Sequence, residues 1–225
     1  MSKKKAVQRP QTEAERKSRV SKILRRLNQD YPDVECELVH TSAWELLVAT
    51  ILSAQCTDKR VNMVTPELFL AYPTPHDLAV ADQSEIEELV KTTGFFRNKA
   101  KSIIGAAKGV TERFGGEVPS NMDDLLSLPG VARKTANVVL GTWYGKATGV
   151  VVDTHVARIS ARLDLTQATD PKKIEQDLMA ILPKNRWILF SHQIIWHGRK
   201  VCLARKPRCV ECSLLDLCYA PDKTA

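Results

Sequence analysis

Apolar positions recur along this chain at intervals of three and four residues, with polar positions between them, and the spacing returns in segment after segment. That period is the period of an α-helix with one buried face. It predicts helices at about 14–30, 43–54, 58–71, 84–92, 97–114, 121–127, 132–144, 154–163, 171–182 and 186–200. Ser42-Ala43-Trp44-Glu45 and Ser84-Glu85-Ile86-Glu87 have the Ser-x-x-Glu form of a capping box, each opening an apolar-periodic segment. Short breakers separate the segments: Tyr72-Pro73-Thr74-Pro75, Gly94, Gly115-Gly116, Pro129-Gly130 and Pro183. Only Val150–Val152 offers a candidate strand, and there is no internal repeat or low-complexity linker. The fold class expected is all-α.

Composition narrows the picture in three ways. At 225 residues, 44% hydrophobic and 26% charged, the chain can bury a core and is globular in type. A net charge of +7 suits a polyanionic partner, nucleic acid or an acidic membrane face. No apolar run approaches membrane-spanning length, the longest lying near Leu46–Leu52 and Val150–Val152, so no membrane role is expected. The N-terminus, MSKKKAVQRPQTEAERKSRV, is basic with no apolar segment behind it, reading as a solvated arm and not as a secretion signal. The expected compartment is the cytoplasm, where six cysteines argue for metal or burial in place of disulfides.

Helix signals stop after Cys202, and a cysteine-rich tail begins: CLARKPRCVECSLLDLC. Cys202, Cys209, Cys212 and Cys218 are spaced C-x6-C-x2-C-x5-C. A segment this short and polar has little core of its own, and a metal centre would fold it. Four thiolates make an acceptable zinc site, although zinc more often uses two close pairs and this tail has one. A [4Fe–4S] cube also takes four thiolates and tolerates uneven spacing. Its negative charge would sit well beside Arg205, Lys206 and Arg208. Cys36 and Cys56 have no partners in sequence and read as small packed hydrophobes.

Leu128-Pro129-Gly130-Val131 fits a type II turn, with proline pre-setting the second position and glycine accepting positive φ at the third. A helical segment lies on each side, so this is a helix–hairpin–helix. The turn leaves free N–H groups at the start of the second helix, an anion site by geometry and dipole. A corner that binds nothing is the plain alternative. The basic chain, the free amides and Arg133-Lys134 together favour the phosphate backbone of DNA.

The combination of LPGVARKTA, VDTHVxR and C-x6-C-x2-C-x5-C resembles the endonuclease III family of DNA glycosylases, as do LLVATILSAQCTD and HGRKVCLARKPRC. The likeness runs from about Ser42 to Cys218. It implies a two-lobed helical protein, with residues 36–146 as a six-helix barrel ending in the hairpin. Residues 1–35 and 147–225 would form a discontinuous second lobe carrying the cluster loop. The resemblance also favours [4Fe–4S] over zinc, with Cys202, Cys209, Cys212 and Cys218 as ligands. The implied function is a bifunctional DNA glycosylase/AP lyase of base excision repair. It would act, as a monomer associated with the nucleoid, on double-stranded DNA holding oxidised pyrimidines or abasic sites.

By the same resemblance Lys134 is the nucleophile and Asp153 its acidic partner, facing each other across the cleft between lobes. A lysine amine, once neutral, attacks the sugar C1′ and leaves a Schiff base, which permits strand cleavage by β-elimination. A lysine at its ordinary pKa of about 10.4 is almost wholly protonated at neutral pH, and a half-buried site beside Arg133 is expected to help. Asp153 is assigned proton transfer and stabilisation of charge developing on the sugar. It also reads as the N-cap of the next helix. Gln55 would fill the space vacated by the flipped base, and a residue of the Gly94–Arg97 loop would wedge the opposite side. Asp58 and His155 match positions that line or brace the pocket, or cap helices, and His197 is expected to pack near the cluster. Gly130, Ala132 and Arg133 would contact the DNA backbone. Two residues depart from the family pattern. Ala132 stands where a second glycine is usual, and only Gly130 occupies the position that demands positive φ. Phe95 stands where a smaller aliphatic residue is usual, and an aromatic ring there could stack on a base or pack under its loop.

Overall fold

The computed structural model describes residues 9–224, so residues 1–8 of the basic arm lie outside the described residues. Every regular element among the described residues is helical, and Val150–Val152 is not a strand. The chain divides into two compact units, residues 36–148 and residues 9–35 with 149–224.

In the first of these units α2 (Ala43–Leu52) is the centre, with every residue but Glu45 buried. A helix with so little polar surface belongs inside, and six more α-helices complete the unit. These are α3 (Asp58–Ala71), α4 (Pro75–Ala79), α5 (Gln83–Val90), α6 (Phe96–Phe114), α7 (Met122–Leu126) and α8 (Arg133–Thr142). α6 packs on α4 and α5, and α8 on α2 and α7. Leu46, Leu47, Leu52, Leu68, Leu78, Ile86, Ile103, Leu125 and Leu140 are all fully buried in this core.

The second unit gathers α1 (Glu13–Asp30), α9 (Thr154–Arg162), α10 (Pro171–Ile181), α11 (Trp187–Lys200) and the cysteine tail. α11 packs against α1 and α9, over a core of Ile23, Leu27, Ile159, Leu178, Phe190 and Ile194. The tail is tied to α1 as well, since Arg26 donates to the Ser213 carbonyl at 2.6 Å and pairs with Asp216.

Three local expectations need correction. The Pro-Thr-Pro stretch read as a breaker opens a helix, α4: Thr74 caps it in a full capping box with Asp77, and Pro75 sits in the first turn. Proline is well placed there because its missing N–H has no intrahelical partner to lose. Ser84 does not cap α5; Asp82 does, accepting from Ser84 N at 2.8 Å. At α2 only half of the box forms. Ser42 accepts from Glu45 N at 3.1 Å, while the Glu45 carboxylate turns to Thr41, accepting from its hydroxyl at 2.9 Å.

Candidate functional site

The hairpin turn is built as its sequence demands. Val131 N donates to Leu128 O at 3.2 Å, and Gly130 has φ +75°. A Cβ on Gly130 would stand 2.6 Å from Cβ of Ser102, so glycine is required for space as well as for conformation. Ser102, Gly105 and Gly109, spaced along one face of α6, seat the turn: side chains at the two glycines would run into Pro129 and Leu128 respectively. Sequence reasoning missed this seat, although its spacing of three and four small residues was a readable signal. Arg113 closes it from the end of α6 through the Ser127 hydroxyl and carbonyl.

α8 then begins with Ala132 at its N-cap, in extended conformation (φ −92°, ψ 169°) and with no side-chain cap. Alanine is at ease in that conformation, so the departure from glycine leaves the hairpin intact. Uncapped first-turn amides and the positive end of the helix dipole together make an anion-binding surface. Lys134 is on this first turn and is exposed, not half-buried as expected. Gln55 and Phe95, in the same unit, are both exposed and both hold left-handed backbone, with φ of 53° and 49°. Left-handed non-glycine residues cost energy and cluster at functional sites. Phe95 is 64% exposed, whereas Phe96 packs on the core, so the loop's two aromatic rings have separate positions. Cys56 and Cys36 are half-buried against that core. Asp58 starts α3, whose cap is Thr57.

In the other unit Asp153 is the N-cap of α9, accepting from Val156 N at 2.8 Å. His155 follows it under α11, where a Cβ on Gly198 would come within 2.5 Å of its Nδ1. Burial holds the His155 imidazole below the ordinary histidine range, with Asp153 pulling it back and Arg158 pushing it further down.

The four tail cysteines all line one cavity, together with Arg162, Pro207, Leu215 and Ala220. None of the four is in a disulfide, and burial raises Cys218 and pushes Cys212 up to about 11. Thiolates are stable in such surroundings when a metal takes their charge. Among the described residues no group of three His, Cys, Asp or Glu side chains is set to hold a single ion. Four thiols lining one cavity are the donor set that a [4Fe–4S] cube takes. N–H donors already point at them: Arg162 Nη1 lies 3.2 Å from Cys202 Sγ, and Ala220 N lies 3.4 Å from Cys218 Sγ. His197, 1% exposed, sits against Cys212 as the sequence suggested. Arg205, Lys206 and Arg208 are exposed on the loop between Cys202 and Cys209.

Comparison with known proteins places these features. Residues 48–184 match the HhH-GPD superfamily base excision DNA repair proteins, and residues 202–218 match the iron-sulfur binding domain of endonuclease III. An endonuclease III of Synechocystis sp. is 58% identical over 205 residues, 91% of this chain and 94% of that protein. The endonuclease III of Bacillus subtilis is 45% identical, over 89% of this chain and 91% of that one. A solved trapped endonuclease III–DNA covalent intermediate superposes with a TM-score of 0.85 at 43% identity, covering 90% of this chain and 95% of its own. A non-covalent endonuclease III–DNA complex matches equally well, with a TM-score of 0.85 at 43% identity and 90% and 94% of the two chains covered. The hairpin lies within the first matched span and the four cysteines within the second. The chain belongs to the endonuclease III family, and it is a DNA glycosylase with AP lyase activity that carries a [4Fe–4S] cluster.

Proposed function

We propose that Lys134 and Asp153 carry the chemistry and that the substrate is duplex DNA holding an oxidised pyrimidine or an abasic site. The observation that carries this reading is the exposed amine of Lys134 on the first turn of α8, beside uncapped amides able to hold a phosphate. Gly130, Ala132 and Arg133 grip the backbone on either side of the lesion without reading its sequence. The damaged nucleotide is turned out of the stack, Gln55 fills its place and Phe95 wedges the neighbouring step. The neutral amine of Lys134 attacks C1′, and the glycosidic bond breaks with its electron pair leaving on the base. Asp153 manages the proton and stabilises the positive charge on the sugar in this step. Ring opening yields the imine; loss of a 2′ proton then expels the 3′ phosphate.

Bound at Cys202, Cys209, Cys212 and Cys218, the cluster supplies a rigid anionic anchor. Arg205, Lys206 and Arg208 are held around it and offered to phosphates. The reading extends to a monomer working in the cytoplasm on the nucleoid, with residues 36–146 forming the lobe that presents the hairpin. No described helix is long and apolar enough to cross a membrane.

Borohydride reduction during turnover on duplex bearing an oxidised pyrimidine tests the assignment. A covalent DNA adduct is expected, and Lys134→Gln should remove it while leaving lesion binding largely intact. A trapped adduct at wild-type yield in Lys134→Gln would sink it.

A further inference from the structure

Phe95 stands outward only because the turn before α6 takes an unusual path. Gly94 has φ 73° and ψ 155°, and Phe95 follows in the left-handed region at φ 49° and ψ 29°. A ring held there needs something to hold it, and the holder is one residue. Lys99 is 5% exposed, a rare position for a lysine. Its Nζ donates to the Thr93 carbonyl at 2.7 Å, and its own backbone N–H donates to the Phe95 carbonyl at 3.1 Å. The second is the ordinary first-turn bond of α6, which any residue at this position would make, so the side-chain bond to Thr93 is the one that needs a lysine. Thr93 is itself buried and anchored, its hydroxyl donating to Val90 O at 2.7 Å. Burial draws the Lys99 ammonium below the ordinary lysine range, and the nearby Cys56 pulls it back. Cys56 directly follows Gln55, the other exposed left-handed residue of this unit.

We propose that Lys99 is a positioning residue, a buried clasp that fixes the Thr93–Phe95 turn beside the Gln55–Cys56 turn and so keeps the Phe95 ring presented to the duplex. The proposal rests on the reading of Phe95 as a wedge. An ammonium suits the task because it reaches the carbonyl with a strong charge-assisted bond, and a methionine of similar length would leave that carbonyl unpaired.

Two measurements test it. Amide hydrogen exchange in the free protein reads the clasp itself: in Lys99→Met the amides of Gly94 and of position 99 should exchange about tenfold faster or more, as expected when a local opening is freed. Unchanged exchange would overturn the clasp whatever Phe95 does. The second measurement uses duplex with an abasic-site analogue and a fluorescent purine on the facing strand. Lys99→Met should lose most of the fluorescence rise that reports unstacking and should slow duplex excision about tenfold, the size of a lost base–aromatic stack. Single-stranded substrate should be little affected, and Lys99→Arg should restore part of the duplex signal. The double variant Lys99→Met/Phe95→Ala should be no slower than Phe95→Ala alone, because both remove one device. Multiplying defects, or equal losses on both substrates, would overturn the proposal. If Phe95→Ala matches wild type on duplex, the wedge reading fails by itself, and the exchange result still decides on the clasp. Should Lys99→Met not fold, Thr93→Val, which frees the same turn at its other anchor, replaces it in both measurements.

Discussion

His197 Nε2 lies 3.5 Å from Cys212 Sγ, while Nδ1 of the same ring lies 3.2 Å from the Tyr31 hydroxyl. With Cys212 as a proposed iron ligand its sulfur has no proton to give, so Nε2 carries the hydrogen and Nδ1 accepts from Tyr31. Burial keeps this imidazole neutral, with its pKa lowered to about 4. The ring therefore fixes a cluster ligand from helix α11 and is itself fixed from the C-cap of helix α1.

His197→Phe should keep the volume but leave the hydroxyl and the sulfur without their partner. Partners behind metal ligands typically contribute 10–100-fold in metal affinity, and a loss on the order of that range is expected here. Iron content and visible absorbance followed against a chelator measure it. Tyr31→Phe should have the same sign and a smaller size, since the ring stays in place. Iron loss at the wild-type rate in His197→Phe would refute the role.

Much of this protein was legible in its sequence. The helical period, the type II turn and the Asp153 cap follow from local chemistry, and local chemistry is what a sequence displays. The missed elements have local causes too. Pro75 was taken as a stop where Thr74 and Asp77 make it a start, and Asp82 outcompeted Ser84 for the same helix end. The left-handed backbone of Gln55 and Phe95 was invisible, because nothing in either residue type favours it. Tertiary packing imposes it. The buried state of Lys99 was unreadable for the same reason, since its partner is a carbonyl and carries no side-chain signature.

Asp153 holds two positions at once, cap of α9 and proposed acid, and these separate by substitution. Asparagine caps a helix about as well as aspartate, so Asp153→Asn should melt within a degree or two of wild type, the cap being kept. It should slow base excision by roughly 10²-fold or more, in line with a lost acid–base group. Nicking of a preformed abasic site should suffer less, because no base remains to be expelled. Asp153→Ala should add a stability loss of about 1 kcal/mol from the missing cap. Equal slowing of both steps in Asp153→Asn would refute the division of labour.

His192, on α11, is held below the ordinary histidine range by burial, which outweighs the pull of Glu35 in the other direction. Its folded pKa is lower than its unfolded value of about 6.5, so the unfolded chain binds the proton more readily. The stability it contributes is complete above that value and is lost as pH falls through the folded pKa. Denaturant midpoints should therefore drop on acidification from neutral pH, and more steeply in wild type than in His192→Gln. Parallel pH profiles for the two proteins would show that His192 contributes nothing to acid sensitivity.

One short rod joins the Asp153 cap to the cysteine loop. Helix α9 has nine residues; Asp153 caps its first turn, and Arg162, its last residue, donates to Cys202 Sγ and to the Leu203 carbonyl at 2.8 Å. At the helical rise it spans only about 13 Å. The carboxylate at its start and the Cys202 thiol at its end are thus tied to one rigid element, so a change in the cysteine loop is expected to be felt at Asp153.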